Sequence, residues 1–116
     1  MKIDFPYPIG YTQPWRIEQS KEYSQWMRRL NDVDARTHIT RRIQRIADNG
    51  RLLGDWKSIS NGLIELRFHE APGYRVYASV QQQQLLLVLA GGNKTSQNRD
   101  VIEAKWILEQ WKKAQQ

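Results

Sequence analysis

Residues 63–90 read LIELRFHEAPGYRVYASVQQQQLLLVLA, and the recurrence of their apolar side chains decides what fold the chain can take. In LIELRFH, Ile64, Leu66 and Phe68 alternate with Glu65, Arg67 and His69. That is the period of a strand, whose successive side chains leave a pleated backbone on opposite faces. YRVYASV repeats it, with Arg75, Tyr77 and Ser79 on one face and Tyr74, Val76, Ala78 and Val80 on the other. LLLVLA is apolar without alternation, as expected of a strand covered on both faces, and is expected to be central. Pro72 and Gly73 suit the middle of a type II turn, and glutamines 81–84 form the second connection. The stretch therefore predicts an antiparallel meander.

Before Gly54 the spacing is helical. Ser20 is a good N-cap for KEYSQWMRRL, in which Tyr23, Trp26, Met27 and Leu30 share a face. Asp34 can cap ARTHITRRIQRIADNG, with Ile39, Ile43, Ile46 and Ala47 as its apolar stripe and Gly50 placed to end it. Arg36, Arg41, Arg42 and Arg45 fall mostly on the other faces, as the solvated side of an amphipathic helix. After Ser96, Val101, Ala104, Lys105, Leu108 and Trp111 predict a C-terminal helix. Residues 1–14 hold three of the four prolines and are read as an N-terminal extension, leaving 15–116 as the domain. The expected fold class is α+β: two N-terminal helices packed on a small antiparallel sheet, with a C-terminal helix.

The 116 residues suit one domain, and the 40% hydrophobic content, with five Trp and five Tyr, suffices for a core. With no cysteine, disulfides, thiolate metal sites and thiol nucleophiles are excluded. Prolines interrupt the N-terminus, and no run approaches the roughly 20 apolar residues of a membrane span, so a cytoplasmic protein is expected. A formal net charge of +6 favours acidic partners, nucleic acid or acidic protein. His38 and His69 lack partners at metal-ligand spacing, and no metal site is expected.

Residues 90–97, AGGNKTSQ, raise the question of a phosphate loop. The nucleotide-binding P-loop needs G-x-x-x-x-G-K-[ST]; here Asn93 precedes Lys94 and the distal glycine is missing, so that motif fails. What is left is a strand end, two glycines, a lysine and a helix start, which favour an anion but more often make a turn. The simplest hairpin register places Arg67 and Arg75 on the same exposed side of the sheet. Like charges so opposed destabilise a sheet and ask for a reason. One is a surface ion pair with Glu65, worth roughly 0 to 1 kcal/mol. The other is a phosphate receptor of arginine forks that Lys94 reaches from the third strand. The residues alone leave both open. His69 at the strand end is either a polar surface residue or a general acid or base.

In order, the helix pair, GLIELRF, PGYRVY, an apolar strand and GGNK resemble the RelE/ParE superfamily of bacterial toxins, in particular the addiction module killer, or HigB-like, branch. The likeness runs over roughly residues 15–112. It implies the toxin of a type II toxin–antitoxin system: a ribosome-dependent endonuclease of messenger RNA that inhibits translation, using neither metal nor small-molecule cofactor. The partners it implies are the ribosome, messenger RNA and a cognate antitoxin of helix-turn-helix type, with no membrane. Carried over residue by residue, it places Arg67, Arg75 and Lys94 in the catalytic cleft. Tyr74, Tyr77 and His69 join them in RNA binding, the tyrosines as base-stacking or proton-transfer candidates. Where the branch has GGDK, Asn93 replaces the acid beside Lys94. A ParE-like inhibitor of DNA gyrase and a non-catalytic relative that binds RNA or antitoxin are the alternatives on the same fold.

Overall fold

The computed structural model describes residues 13–71 and 73–116. Most of the N-terminal extension lies outside them, as does Pro72 of the expected type II turn; Gly73 next to it has φ 87°, and Tyr74 N–H donates to Ala71 O at 3.2 Å.

The order is β1 (Arg16–Gln19), α1 (Lys21–Arg29), α2 (Val33–Asn49), β2 (Trp56–Ser60), β3 (Leu63–Arg67), β4 (Tyr74–Gln81), β5 (Leu85–Asn93), a 3-10 turn (Lys94–Ser96) and α3 (Gln97–Ala114). The strands form one sheet, β1-β5-β4-β3-β2. β1 runs parallel to β5, while the β2–β3, β3–β4 and β4–β5 pairs are antiparallel. This overturns the expected architecture of two N-terminal helices on a small antiparallel sheet. The sheet is five-stranded and mixed, and it opens with a strand that precedes both early helices and pairs in parallel with β5. The central position belongs to β4, not to the apolar β5.

Local chemistry explains the elements. The Ser20 hydroxyl accepts from Tyr23 N–H to cap α1, and it also donates to Leu89 O at 2.5 Å, fixing α1 to the sheet. Asp32, two residues before the expected cap, accepts from Ala35 N–H to start α2, and Gly50, at φ 62°, ends it. Asn61 and Gly62, both at positive φ, turn β2 into β3, as Asn-Gly does in two-residue hairpins.

Both faces of β3, β4 and β5 are covered, which is why these three strands are so apolar. On one side Ile64, Leu66, Val76, Ala78, Leu86 and Val88 meet Tyr23 of α1 and Ile39, Ile43 and Ile46 of α2. On the other, Leu63, Tyr77, Leu87 and Leu89 meet Ala104, Ile107 and Leu108 of α3. The face expected to be exposed, with Glu65, Tyr77 and Ser79, is thus roofed by α3, and those three side chains have no exposed surface.

Arg42 also departs from its expected solvated place. It is 8% exposed, its guanidinium lies 4.8 Å from the Phe68 ring centre, and it donates to the carbonyls of Leu53, Asp55 and Arg67. Burial pushes its pKa down from the ordinary value, with Asp55 and Glu70 acting against that. Arg42 thereby ties α2 to the segment before β2 and to the end of β3.

Candidate functional site

The β3–β4 register sets Arg67 directly opposite Arg75, and Glu65 opposite Tyr77. Side chains two apart on a strand share a face, so Glu65 stands behind the arginine pair on the side roofed by α3. Its carboxylate is the hub of a charged cluster. Oε2 accepts from Arg67 Nε at 3.2 Å and lies 3.7 Å from Lys57 Nζ. Oε1 accepts from the Tyr77 hydroxyl at 3.3 Å and from Gln97 Nε2 at 2.5 Å, and lies 3.7 Å from Arg75 Nε. A buried carboxylate is tolerable only when paired and hydrogen-bonded in this way. Burial first, and then the Glu65 charge, push the Tyr77 phenol well above its ordinary pKa, so it serves as a proton donor to the carboxylate.

The arginines open outward. The side chain of Arg67 is 34% exposed and that of Arg75 17%. Arg75 Nη1 donates to Tyr74 O at 3.2 Å, and its buried Nε has no hydrogen-bond partner among the described residues.

The other residues expected from the sequence are dispersed around this pair. Lys94 is exposed and follows Gly92, the β5 partner of Arg75, by two residues; its Cε lies over Gly73. Tyr74 points to the opposite face, where its ring meets Trp26 edge-on at 6.3 Å. Tyr77 has no exposed surface for a base to stack on. His69 is exposed, with Nε2 3.1 Å from Asp55 Oδ2. It shares with Arg67 and Arg45 a depression of about 300 Å3 that Asp55 and Glu70 also line. The structure thus brings Arg67 together with Arg75 through Glu65, and with His69 in that depression, while Lys94 makes no ion pair among the described residues.

The glycine pair finds another explanation. Gly91 and Gly92 belong to β5 rather than to a loop, and neither has positive φ. A Cβ at Gly91 would run into the Trp26 ring, and one at Gly92 into Asp100 and Ser96. Asn93 Oδ1 accepts from the N–H groups of Thr95 and Ser96 and from the Thr95 hydroxyl, while Ser96 Oγ accepts from Asn93 N–H. The GGNK stretch is therefore a close-packed strand end followed by a capping box.

Sequence reasoning missed the centrality of Glu65 and the participation of Lys57 and Gln97. The parity that grouped Glu65 with Arg67 was a usable signal; nothing local announces Gln97, which comes from another element. Among the described residues no His, Asp and Glu side chains are grouped as metal donors.

Fold and cluster define a small basic α/β protein with a paired-arginine site at one end of a two-sided sheet. Residues 25–116 match the family described as phage derived protein Gp49-like (DUF891), and the chain belongs to that family, a toxin-like family of toxin–antitoxin systems. It is also similar to an uncharacterized protein of Haemophilus influenzae, 34% identical over 95 residues that span 82% of this chain and 94% of that one. No helix among the described residues is long and apolar enough to cross a membrane.

Proposed function

We propose that the chain is the toxin of a type II toxin–antitoxin pair, of the RelE/ParE superfamily and its addiction module killer, HigB-like, branch. It cuts messenger RNA on the translating ribosome without a metal ion, and a cognate antitoxin of helix-turn-helix type neutralises it. The observation that carries this reading is the opposition of Arg67 and Arg75, two partly exposed guanidiniums side by side at the mouth of the site.

In the proposed reaction the ribose 2′-OH attacks the adjacent phosphorus, the bond to the 5′ oxygen breaks, and that oxygen leaves with a proton. Negative charge grows on the phosphate oxygens, and preorganised cations outside bulk water stabilise it most. Arg67 and Arg75 supply two such forks, and Lys94, exposed in the turn just past β5, contacts the phosphate or the leaving group. His69, beside Arg67 in the shared depression, contacts the RNA.

Purified protein with translating ribosomes is expected to cut messenger, and Arg75→Ala to lower the rate on the order of 100-fold with the fold intact. If Arg67→Ala, Arg75→Ala and Lys94→Ala all arrest growth as strongly as the parent, the site is wrongly placed. Intact messenger with DNA damage would mark a ParE-like gyrase inhibitor instead.

A further inference from the structure

Two arginines directly opposed across an antiparallel pair repel each other, yet here both turn one edge toward the same carboxylate. We propose that Glu65 is a positioning residue for RNA cleavage, its buried carboxylate hydrogen-bonded to Arg67 Nε and drawing Arg75 by charge, so that the outer Nη edges of both guanidiniums converge on one phosphate. This role rests on the endonuclease reading above.

The geometry divides each guanidinium in two. Glu65 takes the Nε side, at 3.2 Å from Arg67 and 3.7 Å from Arg75. Among the described residues the Nη groups of Arg67 make no hydrogen bond, and those of Arg75 meet only the neighbouring Tyr74 carbonyl. A fork whose Nε side faces a carboxylate keeps its Nη edge for a second anion.

The burial of Glu65 makes this more than a surface ion pair. With no exposed surface, its charge is little screened by salt, and it is braced by the Tyr77 hydroxyl and by Gln97 at the start of α3. A strand position so deeply covered would be filled more stably by an apolar side chain if packing alone mattered. The charge offsets the repulsion between the arginines and lets both stand close to one phosphate.

Glu65→Gln removes the charge while nearly preserving volume. With translating ribosomes, kcat for messenger cleavage is expected to fall by about 10- to 100-fold, while KM is unchanged or lowered because the variant is more basic. In NMR spectra the Arg67 Nε–H signal, shifted and slow to exchange in the parent, should move and exchange faster in the variant, and the Arg75 Nε–H signal should move with the loss of the nearby charge. Tyr77→Phe keeps the ring and removes one brace from the carboxylate. It should lower kcat in the same direction by a smaller factor, and it decides the matter if Glu65→Gln does not fold. A folded Glu65→Gln or Tyr77→Phe protein that loses only thermal stability, with parental kcat and unmoved Nε–H signals, overturns the role of Glu65. A parent that leaves messenger intact overturns the endonuclease reading itself, whatever the arginine signals show.

Discussion

Gly91 and Gly92 are neighbours in the chain but answer to opposite faces of the sheet, the first to Trp26 of α1 and the second to Asp100 of α3. Either one changed to alanine forces a side chain into occupied space, and overpacking of this kind costs about 1–3 kcal/mol. Thermal denaturation should show a lowered Tm for both variants. Adding Trp26→Leu should recover much of the loss at Gly91 and none at Gly92, a coupling that a double-mutant cycle measures. Asn93, where the branch pattern has aspartate, works as a cap acceptor, which a carboxylate can equally be. Asn93→Ala is expected to lose about 1 kcal/mol in denaturant unfolding and Asn93→Asp almost none. None of this is visible in the letters GGNK. A glycine required by a distant ring and a glycine required by a turn look alike until the neighbours are known.

At the scale of elements, β3, β4, β5 and the helical stripes are legible because each carries its own periodicity. The two missed strands fail for different reasons. β2, WKSIS, has little apolar alternation, but the Asn61-Gly62 pair that follows it is a strong hairpin signal and was sufficient to find it. β1, RIEQ, is four residues long and pairs in parallel with a strand far along the chain, so no local feature reveals it. The β4–β5 connection shows a locally unfavourable choice. Gln82 and Gln83 hold φ of 56° and 55°, a left-handed pair that Asn-Gly occupies at less cost. Replacing them by Asn and Gly should raise stability by about 1 kcal/mol in chemical denaturation, with no change in activity.

For the whole molecule, two cores on either side of one sheet each contain a buried tyrosine, Tyr23 toward α1 and α2 and Tyr77 toward α3. Burial raises the pKa of both well above the ordinary 10.0. The native state therefore keeps protons that the unfolded chain gives up. Stability is present in full below about pH 10 and falls as the pH rises beyond it, by about 1.4 kcal/mol per pH unit for each tyrosine. Denaturant titrations between about pH 10 and 11.5 should show this slope, and Tyr23→Phe should roughly halve it. The basic character of the chain was readable from composition. The gathering of Arg67, Arg75, Lys57, Tyr77 and Gln97 around one carboxylate was not, because it needs the β3–β4 register and α3 together.

The pairing of β1 with β5 carries a consequence for how the molecule comes into being. The Ser20 hydroxyl meets the Leu89 carbonyl across 69 positions of sequence, so the edge of the sheet closes only after most of the chain has been made. Contacts of such separation slow folding, since a long loop must be ordered before they form. During synthesis β1 and α1 wait without their partner strand while the β3–β4 hairpin is already available. The apolar side chains of α1 are then open to other surfaces for that interval, and the newborn chain is most exposed to aggregation and proteolysis before β5 arrives.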